Sequence, residues 1–324
     1  MHDTILSEFK DYLNMRNLSQ RTVEEYPIAI EYFLNYLREY YVDDVRMITS
    51  KHIRYFHEHL TERVYRGKLI TSSTQRQYLG KIKAFFKFMY KTGKITTDPA
   101  AHIDLPKRAK GLPRNILDVD EMRTLLEQPD LSTSMGIRDR AILELFYSSG
   151  IRSSELISLE LKNINMSNRE MFILGKGNKE ALVPFGREAH RALDNYLIFA
   201  RSKLLGSPSG GGGRLSQKRK DDEDDKEYLF VSKNGHRITK ANVGTILKKY
   251  IKQAGIDKKC TPHGIRHSCA THLLKFGADI RHIQQLLRHA SLDTTQIYTR
   301  VNIDDLKEAQ SKFHPREIQS RETV

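Results

Sequence analysis

The sequence predicts a mainly α-helical protein of two domains, the second carrying a small β-sheet, and three observations lead there. Apolar residues recur at helical spacing in four segments before residue 105. The stretch DLPKRAKGLPRNI, residues 104–116, combines two prolines and a glycine with several basic residues and reads as an interdomain linker. Beyond it, residues 170–184 break an otherwise helical pattern with two strand-like runs. These are joined at Gly175 to Asn178, where Gly and Asn accept the positive φ of a tight turn.

The first helical segment covers residues 4–15. Ser19 is the N-cap candidate for the second, which runs to about residue 40 with Tyr26, Ile30, Phe33, Leu34 and Leu37 on one face and Pro27 as a kink site. Thr49 caps the third, and the fourth spans 73–91. Leu79, Ile82, Phe85, Phe86 and Met89 form the apolar stripe of this last helix, while Arg76, Gly80, Lys83, Lys87 and Lys91 follow one another round its other side. A charged stripe is ordinarily a solvated face. Here every charge is positive and Gly80 leaves room for a backbone, so this face, with Lys107, Arg108 and Lys110 of the linker, is expected to lie against DNA phosphates.

The expected divisions are therefore 1–104, a linker at 105–116, and 117–324. In the second domain Asp118 and Glu121 stand in cap positions, and a helix at 136–148 turns Ile142, Leu145 and Phe146 inward. Residues 206–226 carry one apolar residue and no periodicity, the pattern of a flexible insertion. Further helices are expected at 239–254, 265–276, 279–288, 293–300 and 303–313.

Composition narrows the partner. The 324 residues are 39% hydrophobic, enough for a buried core, and carry a formal charge of +14 spread along the chain. Such a surface favours a polyanion, since each neutralised phosphate releases counterions. No lipidation signal, membrane-length apolar run or signal-peptide pattern competes, so nucleic acid in the cytoplasm is the expected setting. Two cysteines exclude a disulfide scaffold and fit a reducing compartment.

Residues 260–272, CTPHGIRHSCATH, raise a choice of chemistry. His263 and His267 have i, i+4 spacing with Cys260, Cys269 and His272 nearby, which resembles a zinc site. Arg266 between the histidines would repel a cation, and neither C-x-x-C nor H-E-x-x-H is present. A guanidinium fork matched to phosphate oxygens beside a titratable imidazole suits phosphoryl transfer instead. Three other places supply matching groups. Arg152 in YSSGIRSSEL follows Gly150, which ends a helix, and precedes Ser153, which can cap the next. Lys176 sits on the hairpin tip GKGNK. His289 closes one helix in LLRHASLDTTQIYTRV, with Tyr298 in the next.

The ordered set Arg152 in SGIRSSEL, Lys176 in GKGNK, His263 and Arg266 in TPHGIRH, His289 in LLRHASLDTT and Tyr298 in YTRV resembles the signature of the tyrosine recombinases, or phage integrase family. LSQRTVEEY and FFKFMYKTGKITTDPA resemble that family's core-binding domain, and HPRE at 314–317 resembles its Xer-type members. The resemblance implies a two-domain, C-shaped DNA clamp: a helical core-binding domain and an α+β catalytic domain. It implies that Tyr298 attacks a scissile phosphate to give a 3′-phosphotyrosyl bond and a free 5′-hydroxyl. Arg152 and Arg266 would clamp the non-bridging oxygens, Lys176 would act as general acid, His263 would assist proton transfer at the tyrosine, and His289 would bond a phosphate oxygen. His267 would support them. The two arginines take the part of a metal, so no metal or other cofactor is implied.

A dimer on one site and a tetramer in the synapse are further implications, with residues 303–313 as a helix donated to a neighbouring protomer or packed on its own domain. Competing readings are a type IB topoisomerase, which shares the chemistry, and a DNA-binding protein without catalysis. The latter accounts for the charge but not for six ordered polar residues.

Overall fold

Ser19 and Thr71 each accept a backbone N–H three residues on, from Thr22 and Thr74, and so start the second and fourth helices of the chain. The structure, a computed structural model, describes residues 2–40, 42–107, 116–174, 180–206, 227–288 and 301–322. It separates into two units, Met1–Leu112 and Pro113–Val324, with the boundary inside the basic stretch.

The first unit contains α1 (His2–Met15), α2 (Gln20–Arg38), α3 (Ser50–Glu62) and α4 (Ser72–Lys91). α2 continues through Pro27 as one helix. Between α3 and α4 lies a hairpin of β1 (Val64–Tyr65) and β2 (Lys68–Leu69), too short for any alternation to reveal it in the sequence. Its turn residues Arg66 and Gly67 have φ of 51° and 75°, the left-handed pair that matches strand twist in a two-residue hairpin. Phe9, Phe33, Phe56, Phe85 and Phe86 fill the core with no exposure. Phe9 meets Phe85 at 5.3 Å and Phe33 meets Phe56 at 5.0 Å, both edge to face.

The stripe Leu79, Ile82, Phe85, Phe86 and Met89 is buried as its spacing requires. On the opposite face two of the four cations hold the unit's own chain. Arg76 Nη1 donates to Pro106 O at 2.8 Å, and Lys83 Nζ donates to Ala101 O and Ile103 O at 3.0 and 2.7 Å. These bonds fasten residues 101–106 along the helix. Lys87, Lys91 and Lys107 are exposed, and nothing lies within 4 Å of the position a Cβ would take at Gly80.

The second unit is built round α6 (Ser134–Ser149), buried on nearly every side. α5 (Val119–Glu127) precedes it behind a reciprocal cap in which Asp118 accepts from Glu121 N and Glu121 accepts from Asp118 N. After α7 (Ser153–Ile157), the strands β3 (Ile164–Asn165), β4 (Glu170–Leu174) and β5 (Glu180–Pro184) form an antiparallel sheet in that order. Met171 is paired with Ile164 on one side and Val183 on the other. α8 (Arg187–Asn195) runs through a π-turn, Tyr196–Ala200, into α9 (Arg201–Gly206), elements that the sequence reading passed over. α10 (Lys240–Gln253), α11 (Pro262–Lys275), α12 (Ile280–Leu287), α13 (Val301–Phe313) and α14 (Pro315–Glu322) complete it. α11 begins three residues earlier than expected, because Thr261 caps it and Pro262 takes the first position, where a missing N–H is harmless.

In the single chain α13 lies on its own unit, the second of the two arrangements the sequence allowed. Leu306 and Ala309 are buried, Gln310 Nε2 donates to Ser148 O at 2.6 Å, and Lys307 pairs with Glu170. Donation to a neighbour therefore requires these contacts to break and re-form. His314 anchors the turn into α14. Its Nε2 lies 3.2 Å from Tyr147 O, and its Nδ1 accepts from Arg316 N at 3.3 Å, so the neutral Nε2-protonated ring satisfies both neighbours.

Burial first, then repulsion from His272 in its protonated form and from Arg316, push the His314 pKa down to about 4. The unfolded value is ~6.5, so the unfolded chain binds this proton more readily. The contribution to stability is complete above pH ~6.5 and is lost as the pH falls towards 4, amounting to roughly 3 kcal/mol. His272, also pushed down by burial, adds in the same direction. Melting temperature should fall over this window in the wild type and fall less steeply in His314→Gln, whose amide can still donate to Tyr147 O. Equal slopes would assign the effect to other groups.

Candidate active site

Gly150 ends α6 in the left-handed region at φ 60°, and a Cβ there would sit 2.6 Å from Leu287 Cδ2. Both counts favour glycine. The turn delivers Arg152, which occupies the N-cap of α7 in place of the expected Ser153. The reason is Glu155 three residues on. Its Oε2 accepts from Arg152 N at 2.6 Å and its Oε1 from Arg152 Nη1 at 2.8 Å.

Arg266 reaches the same place from α11. It is 3% exposed, with Nη1 donating to Gly150 O at 2.5 Å and Nη2 donating to Leu287 O. Arg288 follows α12 in the left-handed conformation, φ 52°, and its Nη2 donates to Glu155 Oε2 at 2.7 Å. The Arg288 carbonyl accepts from Arg152 Nη2 at 3.3 Å. Two guanidiniums thus grip one buried carboxylate and a third, Arg266, lies within electrostatic reach, leaving an excess of two positive charges.

The electrostatics follow. Burial, and then the neighbouring Arg152 and Arg288, lower the Arg266 pKa to about 10, so it stays charged at neutral pH. Burial by itself would raise Glu155, but Arg288 and the bonds from Arg152 outweigh it and hold the carboxyl below its ordinary range. Arg152 keeps 41% of its side chain exposed. The cluster is therefore built inward through Glu155 and open outward through Arg152, an arrangement that binds an anion.

His263 is exposed near the start of α11, with its ring 4.4 Å from that of His267 and nearly perpendicular to it. The remaining members of CTPHGIRHSCATH have other work. His272 Nδ1 lies 2.8 Å from the Tyr147 hydroxyl, while burial raises the thiols of Cys260 and Cys269 to about 11 and 12, against the thiolate that metal binding needs. Among the described residues no three His, Cys, Asp or Glu side chains are grouped to hold a metal ion. The structure brings Arg152 and Arg266 together on the 287–288 turn. Lys176, His289 and Tyr298 lie outside the described residues, as do Arg108, Lys110, the helix expected at 293–300 and nearly all of the 206–226 insertion.

Glu155 and Arg288 are the residues that the sequence reading missed. Glu155 was signalled by its place three residues after Arg152, the spacing of a capping pair. Arg288 carried no such signal, since nothing marks a non-glycine residue for the left-handed end of a helix.

Residues 115–304 match the phage integrase family, and residues 5–93 match its N-terminal SAM-like domain. The chain belongs to the phage integrase family. Like the family's other tyrosine recombinases, it is a site-specific recombinase, an enzyme that breaks and rejoins DNA strands. It is 36% identical to the tyrosine recombinase XerC of Oceanobacillus iheyensis over 312 residues, 96% of each chain. It is 35% identical to XerD of Listeria monocytogenes, covering 96% of this chain and 99% of that one. In three dimensions it resembles the XerH recombinase bound to a palindromic difH substrate, with a TM-score of 0.64 at 23% identity, over 91% of this chain and 81% of that one. A λ integrase dimer bound to a core site gives the same score at 19% identity, over 91% and 98%. Among the described residues no helix is long and apolar enough to cross a membrane.

Proposed function

We propose that this recombinase cuts a double-stranded recombination site by attack of Tyr298 on a phosphate whose non-bridging oxygens are held by Arg152 and Arg266. The observation that carries the reading is the meeting of these arginines on one turn, with an excess of two charges beside a partly open guanidinium. A phenol with a pKa of about 10 is a poor nucleophile, and a fixed positive field favours its phenolate and the charge that builds on phosphorus oxygens. Lys176 protonates the departing 5′-oxygen, His263 assists proton transfer at Tyr298, and His289 bonds a phosphate oxygen. The phosphotyrosyl bond conserves the energy of the phosphodiester, so rejoining needs no ATP, and the guanidiniums take the part that a metal would play.

Residues 1–104 serve as the helical DNA-binding domain and 117–324 as the catalytic domain. A DNA-bound XerH and a DNA-bound λ integrase dimer support a recombination site as the partner. Two protomers occupy one site, four make the synapse, and α13 is exchanged between them. The setting is the cytoplasm, with Xer-like resolution of chromosome dimers or movement of a mobile element as the biological outcome. Lys87, Lys91 and Lys107 reach phosphates directly. Arg76 and Lys83 set the carbonyls of 101–106 and add field.

Incubation with a nicked suicide duplex carrying the site, in excess chelator, tests the chemistry: an SDS-stable protein–DNA adduct is expected. No adduct with or without Mg²⁺ sinks the reading, and an adduct that needs Mg²⁺ returns the charge role to a metal. Titrated against salt in the same system, reversal of Lys87 and Lys91 should make the binding slope shallower by about 2.

A further inference from the structure

Arg288 has no part in the mechanism above, yet it holds the site together from three sides. An L residue adopts φ 52° against a conformational penalty, so something must repay the strain at this position. Its side chain turns inward, 11% exposed, and donates to Glu155 Oε2. Its carbonyl receives Arg152 Nη2, and the carbonyl just before it, Leu287 O, receives Arg266 Nη2. Both phosphate-clamp arginines therefore rest on the backbone of residues 287–288. The carboxylate that orients one of them is gripped by the side chain of residue 288.

Glu155 needs that grip. Burial drives its carboxyl towards the neutral form, and Arg288 is the largest influence opposing it. With Arg288 in place, Oε2 is shared between the Arg288 guanidinium and the Arg152 N–H, and Oε1 is left to aim Arg152 Nη1. Without it, one oxygen loses its charged donor, and the carboxylate can turn or take a proton. Arg152 then loses its direction without leaving the site.

We propose that Arg288 is a positioning residue for strand cleavage: by fixing Glu155 it sets the Arg152 guanidinium, while the carbonyls of residues 287 and 288 accept from both arginines. The inference rests on the reading of Arg152 and Arg266 as the phosphate clamp. Because the Arg288 side chain is turned inward and its Nη2 donates to Glu155, its effect falls on the rate of chemistry and not on the grip on DNA.

The test is single-turnover cleavage of the nicked suicide duplex, with rate and half-saturating DNA concentration measured separately. Arg288→Gly keeps a residue suited to positive φ and removes the guanidinium. Its cleavage rate should fall about 10- to 100-fold while half-saturation stays within about twofold of wild type. Arg288→Lys, which can still place a cation on Glu155, should recover most of the loss. Glu155→Gln should match Arg288→Gly, and the double variant should be no slower than either single one.

Wild-type cleavage by Arg288→Gly overturns the proposal. So does a double variant whose losses multiply, because Arg288 would then act on the phosphate itself. A rise in half-saturation that accounts for the whole loss also overturns it, since it assigns Arg288 to general attraction of DNA. Should Arg288→Gly not fold, Arg288→Met against Arg288→Lys reads the same contrast. Arg152→Ala runs beside them: full cleavage by that variant would sink the clamp reading itself, whereas its failure beside an active Arg288→Gly would sink the Arg288 inference alone.

Discussion

Tyr298→Phe should yield no SDS-stable adduct with a nicked suicide duplex under conditions where the wild type accumulates one, and it should bind the same duplex within about twofold of wild type. The substitution removes one oxygen and keeps the ring. Covalent capture needs that oxygen as the attacking atom. A carboxylate or serine substitute would not restore the intermediate, because the geometry that delivers a phenol at the end of a long side chain is not reproduced by a short one. The loss should therefore be below detection and not a partial slowing. An adduct that persists in Tyr298→Phe would place the nucleophile elsewhere. Loss of binding in parallel with loss of adduct would instead indicate that the segment has unfolded.

How much of this was legible beforehand depended on how local each cause is. The stripe Leu79, Ile82, Phe85, Phe86 and Met89 was readable because helix burial repeats along one segment. Gly150 was readable as a helix end because few residues tolerate φ 60°. Arg76 and Lys83 were readable as a cationic face but not as donors to Pro106, Ala101 and Ile103, since those carbonyls return to the helix only in the fold. The zinc-like cluster at 260–272 dissolves for the same reason. His272 is occupied by Tyr147, 125 positions away, and that distance leaves no trace in spacing.

Arg152 and Arg266 illustrate the remaining limit. Residue type and order marked both, but their convergence depends on two carbonyls, Gly150 O and Leu287 O, that no side-chain pattern reports. The same holds for α13. Its apolar positions fit a groove, and the groove on its own chain and the one on a neighbour are chemically identical, so periodicity alone cannot tell them apart. Gln310 on Ser148, which lies in the helix leading to Gly150, records the choice made in the single chain.

Arg266→Ala should show the largest combined loss, with cleavage down by about 10³-fold or more and the melting temperature lowered. The two effects have separate origins. In the transition state, a buried guanidinium beside the phosphate is worth more than a solvated one, because the surrounding dielectric is low and the group needs no reorganisation. In the ground state, its fork joins the carbonyl that ends α6 to the carbonyl that ends α12. Alanine leaves both acceptors without this donor and opens a cavity, each orphaned group costing about 1–3 kcal/mol. Relief of the repulsion from Arg152 and Arg288, and of the burial that lowers the Arg266 pKa, offsets part of that cost. The net fall in stability should therefore be smaller than the two orphaned bonds suggest, on the order of 2 kcal/mol. Arg266→Lys separates the contributions. It restores a charge but not the fork, so one ammonium cannot span both carbonyls and face a phosphate as well. Its melting temperature should lie between those of the wild type and Arg266→Ala, while its cleavage rate stays close to that of the alanine variant. Recovery of cleavage in step with stability would show that charge alone suffices and that the fork geometry of Arg266 is not what the phosphate requires.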